Sequence, residues 1–257
     1  MIHKKGLRLN KKNKPIIIKH AMSQKVNWAY WAGWADGDGY FKKDSYLLRL
    51  VEHEPVEKLA EIFSASVLHL TDEIDYHKKK AQGRGSGVKN IRACVKICGA
   101  RYEFFIDQVA PYVIDKSNFM YRALKNMNIK KKYSYLEFNK ENFLSWFTGF
   151  AEAEGTFYYE PKFNMYNLTI PNTNLTLIHY IQSQLIKLGI DAKVCKIKEE
   201  GMYYHATYNQ MVHQKEADKL YISGKKVVPL LKQMVPMMLI KKKRDAAINI
   251  INHRFKR

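Results

Sequence analysis

Two stretches of the chain carry apolar residues at the three-to-four-residue spacing of an amphipathic helix. A glycine follows each stretch, Gly39 after the first and Gly155 after the second, and glycine is a common helix stop. The pattern predicts two helices that end at corresponding positions. Their aromatic positions are Trp28, Trp31 and Trp34 in the first stretch, and Phe143, Trp146, Phe147 and Phe150 in the second.

A second stripe of small residues runs along each predicted helix. Its members stand four residues apart and therefore share one helix face. Two helices with such faces can approach backbone to backbone, so each stripe is expected to pack on the other. The stripes consist of Ala29, Gly33 and Gly37 in the first helix, and of Ser145, Gly149 and Ala153 in the second.

The two helix ends belong to a repeated motif. Residues 33–41 read Gly-Trp-Ala-Asp-Gly-Asp-Gly-Tyr-Phe, and residues 149–157 read Gly-Phe-Ala-Glu-Ala-Glu-Gly-Thr-Phe, 116 positions later. Self-similarity at this distance predicts two tandem units in one pseudo-symmetric molecule. We expect a basic N-terminal arm over 1–25, a first repeat over 26–135 and a second repeat over 136–257.

Each motif places two carboxylates in a last helical turn, where they oppose the helix dipole at a cost of roughly 0.3–1 kcal/mol each. If the small faces pack, Asp38 and Glu154 emerge side by side, and hard oxygen donors suit Mg²⁺. Asp36 and Glu152 stand earlier and are expected to shape the helix ends. The simpler alternative is four solvated helix-end acids, which the matched register of the two copies disfavours.

After each predicted helix, the pattern changes to strands, a helix, further strands and a second helix. In the first copy we expect a strand at 46–52, a helix at 56–63, and a hairpin of 69–80 with 90–97. In the second copy we expect a strand at 166–170, a helix at 175–188, a hairpin of 192–198 with 202–208 around Gly201, and a closing strand at 219–222. Lysines 196 and 198 are expected to match the polar face of 90–97.

A glycine and a proline recur at matching positions in the two copies. Gly99 and Pro111 in the first copy match Gly224 and Pro236 in the second at an offset of 125. Lys116 and Lys241 keep that offset, five residues past each proline.

The composition favours a polyanionic partner. The chain has 44 Lys and Arg against 24 Asp and Glu, a net charge of +20 and a pI near 9.7. A membrane surface is the competing interpretation, but no apolar run reaches the about 20 residues of a spanning helix. Three cysteines form neither a disulfide framework nor a zinc quartet, so an intracellular, reducing compartment is expected. The basic first twenty residues lack the apolar core of a secretory signal. They suit either an arm that lies on phosphates or a disordered tail.

The paired motifs resemble those of the LAGLIDADG homing endonucleases and their intron-maturase relatives, in the single-chain form with two motifs. Residues 31–39 and 147–155 stand at the nine signature positions, and the resemblance covers residues from about 25 to 257. It implies an α+β fold of tandem pseudo-twofold αββαββα repeats, which form a saddle of two antiparallel sheets over DNA.

The resemblance also implies the active-site residues. Asp38 and Glu154 would bind two or more Mg²⁺ ions, with Gly37 and Ala153 completing the metal set and Mn²⁺ able to substitute. Lys116 and Lys241 would line the pocket. His53 and Asn172 would place the nucleophilic water, with Glu54 as an alternative to His53.

The implied activity is site-specific cleavage of double-stranded DNA that leaves 3' overhangs, by a monomer that does not bind membranes. The alternatives are a maturase that binds host intron RNA with weak or no cleavage, and a non-enzymatic DNA binder on the same fold. The AT-rich codon bias that Lys, Asn, Ile and Tyr suggest would suit an intron of a mitochondrion or chloroplast. The candidate DNA contacts are Tyr40, Lys42, Lys43, Tyr46, Arg49, Lys78, Lys80, Arg84, Arg92, Lys96, Tyr158, Lys162, Asn167, Thr169, Lys196, Lys198 and Tyr204.

Overall fold

The computed structural model describes residues 26–71, 91–118, 120, 138–163, 165–205 and 210–252. The predicted N-terminal arm and the predicted boundary between repeats at 135/136 lie outside these residues and stay predictions. The first half contains α1 (Trp28–Asp36), β1 (Tyr40–Phe41), β2 (Ser45–Leu50), α2 (Glu54–Phe63), β3 (Val67–Thr71), β4 (Ile91–Cys98) and α3 (Ala100–Val109). The second half contains α4 (Lys140–Glu154), β5 (Thr156–Glu160), β6 (Met165–Asn172), α5 (Leu175–Lys187), β7 (Lys193–Lys198), β8 (Gly201–His205), β9 (Gln210–Gln214), β10 (Ala217–Ser223), α6 (Val228–Met234) and α7 (Lys241–Asn252).

Each half builds a four-stranded antiparallel sheet of the same order. The first sheet is ordered β1-β2-β4-β3 and the second β5-β6-β10-β7. Apolar residues at alternate positions face the helices, such as Leu48 opposite Val95 and Ile170 opposite Leu220. The predicted α+β fold of two antiparallel sheets is confirmed.

The predicted hairpin of 192–198 with 202–208 is wrong. β7 pairs with β10, and β8 pairs with β9 in a separate two-stranded ribbon. β7 therefore corresponds to β3, and β10 corresponds to β4. Lysines 196 and 198 consequently match the edge strand of the first sheet and not the strand 90–97.

The two signature helices pack against each other through the predicted small residues. A Cβ on Gly33 would lie 2.0 Å from the backbone oxygen of Trp146, and a Cβ on Gly149 would lie 2.0 Å from that of Tyr30. Any side chain at either glycine would therefore overlap the partner backbone. The backbone contact between α1 and α4, predicted from the small-residue stripes, is confirmed and joins the two halves through one shared core.

Both helices begin with an asparagine cap. The Asn27 side chain accepts a hydrogen bond from the Tyr30 amide at α1, and Asn139 does the same for the Asn142 amide at α4. Asn27 also donates to Ser145 Oγ at 2.9 Å, which ties the start of α1 to the neighbouring helix. These contacts fix where each helix begins. Because the number of residues in each helix is fixed, they also determine the position of its last turn, which contains the acids.

Candidate active site and nucleic-acid interface

The last turns of α1 and α4 meet at one end of the helix pair. A Cβ on Gly37 would lie 2.3 Å from Ala153 Cβ and 3.5 Å from Glu154 Cγ. Asp38 follows Gly37 directly, so the final acids of the two motifs reach the same place from opposite halves. The structure thus brings together the two residues that the sequence predicted to share a centre.

The first acid of the first motif is buried and fully engaged. Asp36 accepts hydrogen bonds from the backbone amides of Ile114 at 2.8 Å and Lys116 at 2.9 Å, and from Trp146 Nε1 of α4 at 2.9 Å. Burial raises the pKa of Asp36 to about 6, although these three donors act in the opposite direction. Asp36 therefore fixes the segment after α3 against the end of α1.

The first acid of the second motif repeats this arrangement. Glu152 accepts from the backbone amides of Leu239 at 3.1 Å and Ile240 at 2.8 Å, and from the Tyr30 hydroxyl of α1 at 2.5 Å. Trp34 Nε1 in turn donates to the Tyr30 hydroxyl at 2.8 Å. Desolvation raises the pKa of Glu152. Asp36 and Glu152 thus shape the helix ends, as the sequence predicted.

Lys116 reaches the first signature turn. Its ammonium group donates to the backbone oxygens of Gly37 and, at 2.7 Å, Gly39, the residues on either side of Asp38. Desolvation lowers the pKa of Lys116, while the nearby carboxylates, Asp36 and Glu154 foremost, act to raise it. The structure therefore places Lys116 at the acidic centre, where the sequence predicted it.

The counterpart of Lys116 in the second half is Lys243. Its ammonium group donates to the backbone oxygens of Glu152 and, at 2.8 Å, Gly155. The predicted Lys241 instead points to the surface and pairs with Asp245 one helical turn away. Lys243 lies four and seven residues before Ala247 and Ile250, the buried positions of α7, so helical periodicity carries the signal that the proline register missed.

The last acids sit in a mixed field of charge. Asp38 is an exposed residue, but its carboxylate is partly desolvated. This desolvation raises the pKa of Asp38, while the charges of Lys116 and Lys243 act to lower it. Desolvation also raises the pKa of Glu154, and the charge of Asp38 adds to that rise. Two partly desolvated carboxylates close enough to repel each other favour a cation between them.

The two predicted strand-end residues, His53 and Asn172, make local contacts at the starts of the following helices. His53 occupies the N-cap position of α2, and its ring centroid lies 5.3 Å from that of His69. Asn172 ends β6 and accepts from the Asn174 amide at 2.7 Å. Sequence reasoning missed the neighbouring Glu52. Desolvation lowers the pKa of Lys243 and the charge of Glu52 opposes that change, while for Asp38, whose pKa desolvation raises, the charge of Glu52 adds to the rise.

Two contacts cross between the halves beside these strand ends. The Lys241 backbone amide donates to Glu54 Oε1 at 3.4 Å, and Asn174 Nδ2 donates to Asp115 Oδ1. In each case the segment after one repeat's proline meets the start of the other repeat's second helix. The alternative position Glu54 is therefore engaged with the partner half.

The donor set fits a hard divalent cation. Within the described ranges, no group of three or more His, Cys, Asp and Glu side chains is arranged to hold a metal ion. Asp38 and Glu154 nevertheless supply two carboxylates that lie close enough to interact electrostatically where the two turns meet. Mg²⁺ commonly takes one or two protein carboxylates and leaves its other positions to water and phosphate.

The outward faces of the two sheets carry part of the predicted DNA contacts. Tyr40, Arg49 and Lys96 share the outward face of the first sheet, since they alternate with core residues. Arg92 lies on that same face of β4. On the second sheet, Tyr158 is exposed, whereas Asn167 and Thr169 are buried on the outward face. Five other residues predicted to contact DNA are exposed: Lys42 and Lys43 in the β1–β2 turn, Lys162 after β5, Lys198 at the end of β7 and Tyr204 on β8.

Two residues predicted to contact DNA have side chains that interact within the protein. The Tyr46 side chain faces the core, fully buried, because it shares the parity of Leu48 and not that of Arg49. Lys196 forms an ion pair with Glu216 at 2.6 Å beside the strand bulge. The predicted contacts Lys78, Lys80 and Arg84 lie outside the described residues.

No protein-family model and no curated protein sequence matches the chain. Solved structures, in contrast, do match the chain. The homing endonuclease I-LtrWI, bound to its target DNA, is 14% identical, covers 91% of this chain and 90% of its own, and superposes with a TM-score of 0.52. The chain has the LAGLIDADG homing endonuclease fold.

Two further LAGLIDADG structures are similar at lower scores. The homing endonuclease I-WcaI, bound to its DNA recognition sequence, is 12% identical, covers 93% of this chain and 95% of its own, and has a TM-score of 0.47. The N-terminal LAGLIDADG domain of WhiA is 12% identical, covers 88% and 94%, and has a TM-score of 0.45. The likeness to I-LtrWI, at 14% identity, establishes the architecture alone, and the chemistry depends on the site.

Two further observations concern the helices and the cysteines. None of the described helices combines the length and apolarity that crossing a bilayer requires. The three cysteines are free thiols, with Cys94 buried in the first sheet and Cys98 and Cys195 exposed.

Proposed function

We propose that this protein is a divalent-metal-dependent endonuclease that cuts double-stranded DNA at one long asymmetric site and leaves 3' overhangs. The observation that carries the proposal is the convergence of Asp38 and Glu154. Each comes from a different half of the chain, and both stand beside two desolvated lysines at the base of the helix pair. A plain scaffold gains no stability from like charges held together there.

In this function, Asp38 and Glu154 would hold the divalent cations, Mg²⁺ or Mn²⁺, which would supply polarisation of the scissile phosphate and activation of water when bound. Asp36 and Glu152 keep the two turns in place through their backbone hydrogen bonds, so the last acids stay oriented. The ammonium groups of Lys116 and Lys243 offset negative charge at the centre.

Double-stranded DNA is the proposed partner. The net charge of +20 supplies an electrostatic drive, and Arg49 and Lys96 stand on an outward sheet face that could follow a groove. I-LtrWI, of the same fold, was solved on its target DNA. With about a dozen phosphate contacts, the affinity for DNA should fall with a log-log salt slope on the order of −10, and a shallow slope would remove the charge argument.

The test is cleavage of a randomised double-stranded DNA library by the full chain, with Mg²⁺ or EDTA, followed by sequencing of the ends. Discrete Mg²⁺-dependent ends with 3' overhangs are expected. Asp38→Asn or Glu154→Gln should abolish cutting of at least one strand and leave DNA binding nearly intact. Glu141→Gln is the matched control, because Glu141 is exposed in the first turn of α4.

The maturase alternative has a separate outcome. It predicts tight binding to a structured intron RNA and no cleavage of any DNA library, with Asp38→Asn indistinguishable from the parent in RNA binding. That result would overturn the nuclease proposal while leaving the fold unchanged.

A further inference from the structure

A small cavity opens on the outward face of the second sheet, where β10 ends and β7 begins. Its volume is about 250 Å³. Tyr221 and Ser223 form part of its wall, and both alternate along β10 with the buried Leu220 and Ile222, so they face away from the core. Lys193 pairs with Tyr221 across the strands and shares that side. The cavity therefore belongs to the same outward face as the predicted DNA contacts of the second half.

The charge around this cavity is mainly positive. Among the described residues that line it, Lys193, Lys225 and Lys226 are cationic and Asp191 alone is anionic, which leaves two net positive charges. Lys226 donates a hydrogen bond to Asp191, and this bond, together with the charge of Lys193, lowers the pKa of Asp191. The one carboxylate is thus already engaged. Like charges gathered around one cavity favour a bound anion.

A glycine turn brings two of the lysines to the cavity. Gly224 follows β10 directly with a φ of 62°, in the left-handed region that glycine adopts without steric cost. Lys225 and Lys226 come next, in a short 3-10 turn. The first half keeps the left-handed glycine at Gly99 but changes its neighbours. At the offset of 125, Ser223, Lys225 and Lys226 correspond to Cys98, Ala100 and Arg101.

The size and the donors of the cavity suit a phosphate group. Pockets that enclose a whole small molecule usually measure about 300–1,000 Å³, so a cavity below that range suits one ionic group of a larger ligand. Lysine binds phosphate as a point charge, and serine and tyrosine hydroxyls donate to phosphate oxygens. In protein–DNA complexes, such groups hold the backbone and fix the orientation of the protein without reading the sequence.

We propose that this cavity binds one backbone phosphate of a DNA duplex that lies along the outward face of the second sheet. Lys193 and Lys225 supply the charge, and Tyr221 and Ser223 supply hydrogen bonds. Because the first half has Cys98 and Ala100 at the positions of Ser223 and Lys225, the second half makes the stronger backbone contact at this corner. The inference rests on the proposed function in one respect, namely that duplex DNA is the partner, and it requires neither metal nor cleavage.

The test measures binding of the full chain to a labelled duplex of arbitrary sequence, in EDTA and over a range of salt, by fluorescence anisotropy. The double variant Lys193→Met with Lys225→Met should weaken binding about fivefold and reduce the log-log salt slope by about 1, as expected for one lost phosphate contact. The matched control, Lys187→Met with Lys232→Met, removes two exposed lysines from α5 and α6 and should keep the parent's slope. Equal losses from both pairs would show that charge acts without a site and would overturn the proposal.

The hydroxyl groups give a test in which the charge does not change. Tyr221→Phe and Ser223→Ala should each weaken binding to the same duplex by about twofold to threefold and leave the salt slope unchanged. Ser183→Ala, at an exposed position on α5, is the control and should bind as the parent does. Parent-like binding by both hydroxyl variants would mean that the cavity holds no phosphate.

Titration calorimetry with inorganic phosphate separates a DNA phosphate from a free one. The parent should bind inorganic phosphate only in the millimolar range, because a single ion lacks the other contacts of a duplex, and the Lys193→Met and Lys225→Met pair should abolish this binding. Micromolar binding would assign the cavity to a free phosphate ester and overturn the DNA contact. The nuclease proposal fails separately if the duplex results are as expected and the DNA library is not cut in Mg²⁺.

Discussion

The two copies of the signature solve one packing problem with different residues. In the first copy a short acid, Asp36, meets a long donor, Trp146 Nε1. In the second copy a longer acid, Glu152, meets the Tyr30 hydroxyl. Trp146 and Tyr30 stand 116 residues apart, as the acids do, so each donor occupies the other's position in the opposite helix.

The segments after the two prolines also differ in sequence but make the same kind of hydrogen bond to the buried acid. Asp36 accepts from the amides of Ile114 and Lys116, two residues apart, whereas Glu152 accepts from the adjacent Leu239 and Ile240. The two halves therefore preserve the contacts of a buried carboxylate and not the sequence that makes them. Corresponding residues after the two prolines are therefore identified by their hydrogen bonds and not by a constant sequence offset.

The largest loss of stability should come from forcing α1 and α4 apart. Gly33→Ala and Gly149→Ala each place a Cβ 2.0 Å from a backbone oxygen of the other helix, where no side chain can yield. We expect each to cost about 5 kcal/mol or more, above the usual range of about 1–3 kcal/mol for overpacking. Denaturant unfolding followed by circular dichroism measures this.

The glycine prediction has a matched control in Gly201→Ala. A Cβ there would meet only the ring of Tyr203, at 3.3 Å, and that ring is exposed and can move. Its unfolding midpoint should stay close to that of the parent protein. If Gly33→Ala unfolded at the parent's midpoint, the backbone contact between the helices would be refuted.

The next largest effect should come from the first acids. Asp36→Ala and Glu152→Ala each leave two backbone amides and one side-chain donor buried without an acceptor, at about 1–3 kcal/mol per group. We expect a loss of about 4 kcal/mol from either variant, measured by urea unfolding. Glu141→Ala, at an exposed site on α4, should lose less than about 1 kcal/mol. A large difference between Asp36→Ala and Glu152→Ala would mean that the two networks are not equivalent.

Much of this arrangement could be predicted from sequence because it rests on exact periodicity. The small-residue stripes fix which faces of α1 and α4 meet, and the repeated acids then emerge together. The helix periodicity and the offset between the two motifs do not depend on any single residue. Together they predict the fold and the meeting of Asp38 and Glu154 at one centre.

Some expectations are wrong because a single sequence pattern does not determine the position. The offset from Lys116 selects Lys241, but the face of α7 that contains Ala247 selects Lys243. Tyr46 and Arg49 were both predicted to contact DNA, although a strand points residues of unlike parity to opposite faces. The pairing of β7 with β10 was missed, because the inserted β8–β9 ribbon lies between them and pairing partners are not written in local sequence.

Proton uptake by Asp36 on folding should have a smaller effect on the free energy of unfolding. Because the folded pKa of Asp36 is about 6, above its ordinary value of 3.8, folding takes up a proton between these values. The stability from this group is fully present below about pH 4 and is lost as the pH rises through 6, by up to about 3 kcal/mol. Unfolding free energies from pH 4 to 7 should therefore fall more steeply for the parent than for Asp36→Asn. Parallel curves would contradict the raised pKa of Asp36.

The smallest effect should have the opposite sign. The pKa values of Asp38 and Glu154 are raised by desolvation, so their charged forms destabilise the fold at pH 7. Asp38→Asn and Glu154→Gln should thus raise Tm slightly, by about 1–3 °C, in metal-free buffer. Active-site charges commonly trade stability for function in this way. A fall in Tm from either variant would show that the last acids, like the first acids, hold the fold, and it would remove the contrast between a structural and a metal-binding carboxylate in each motif.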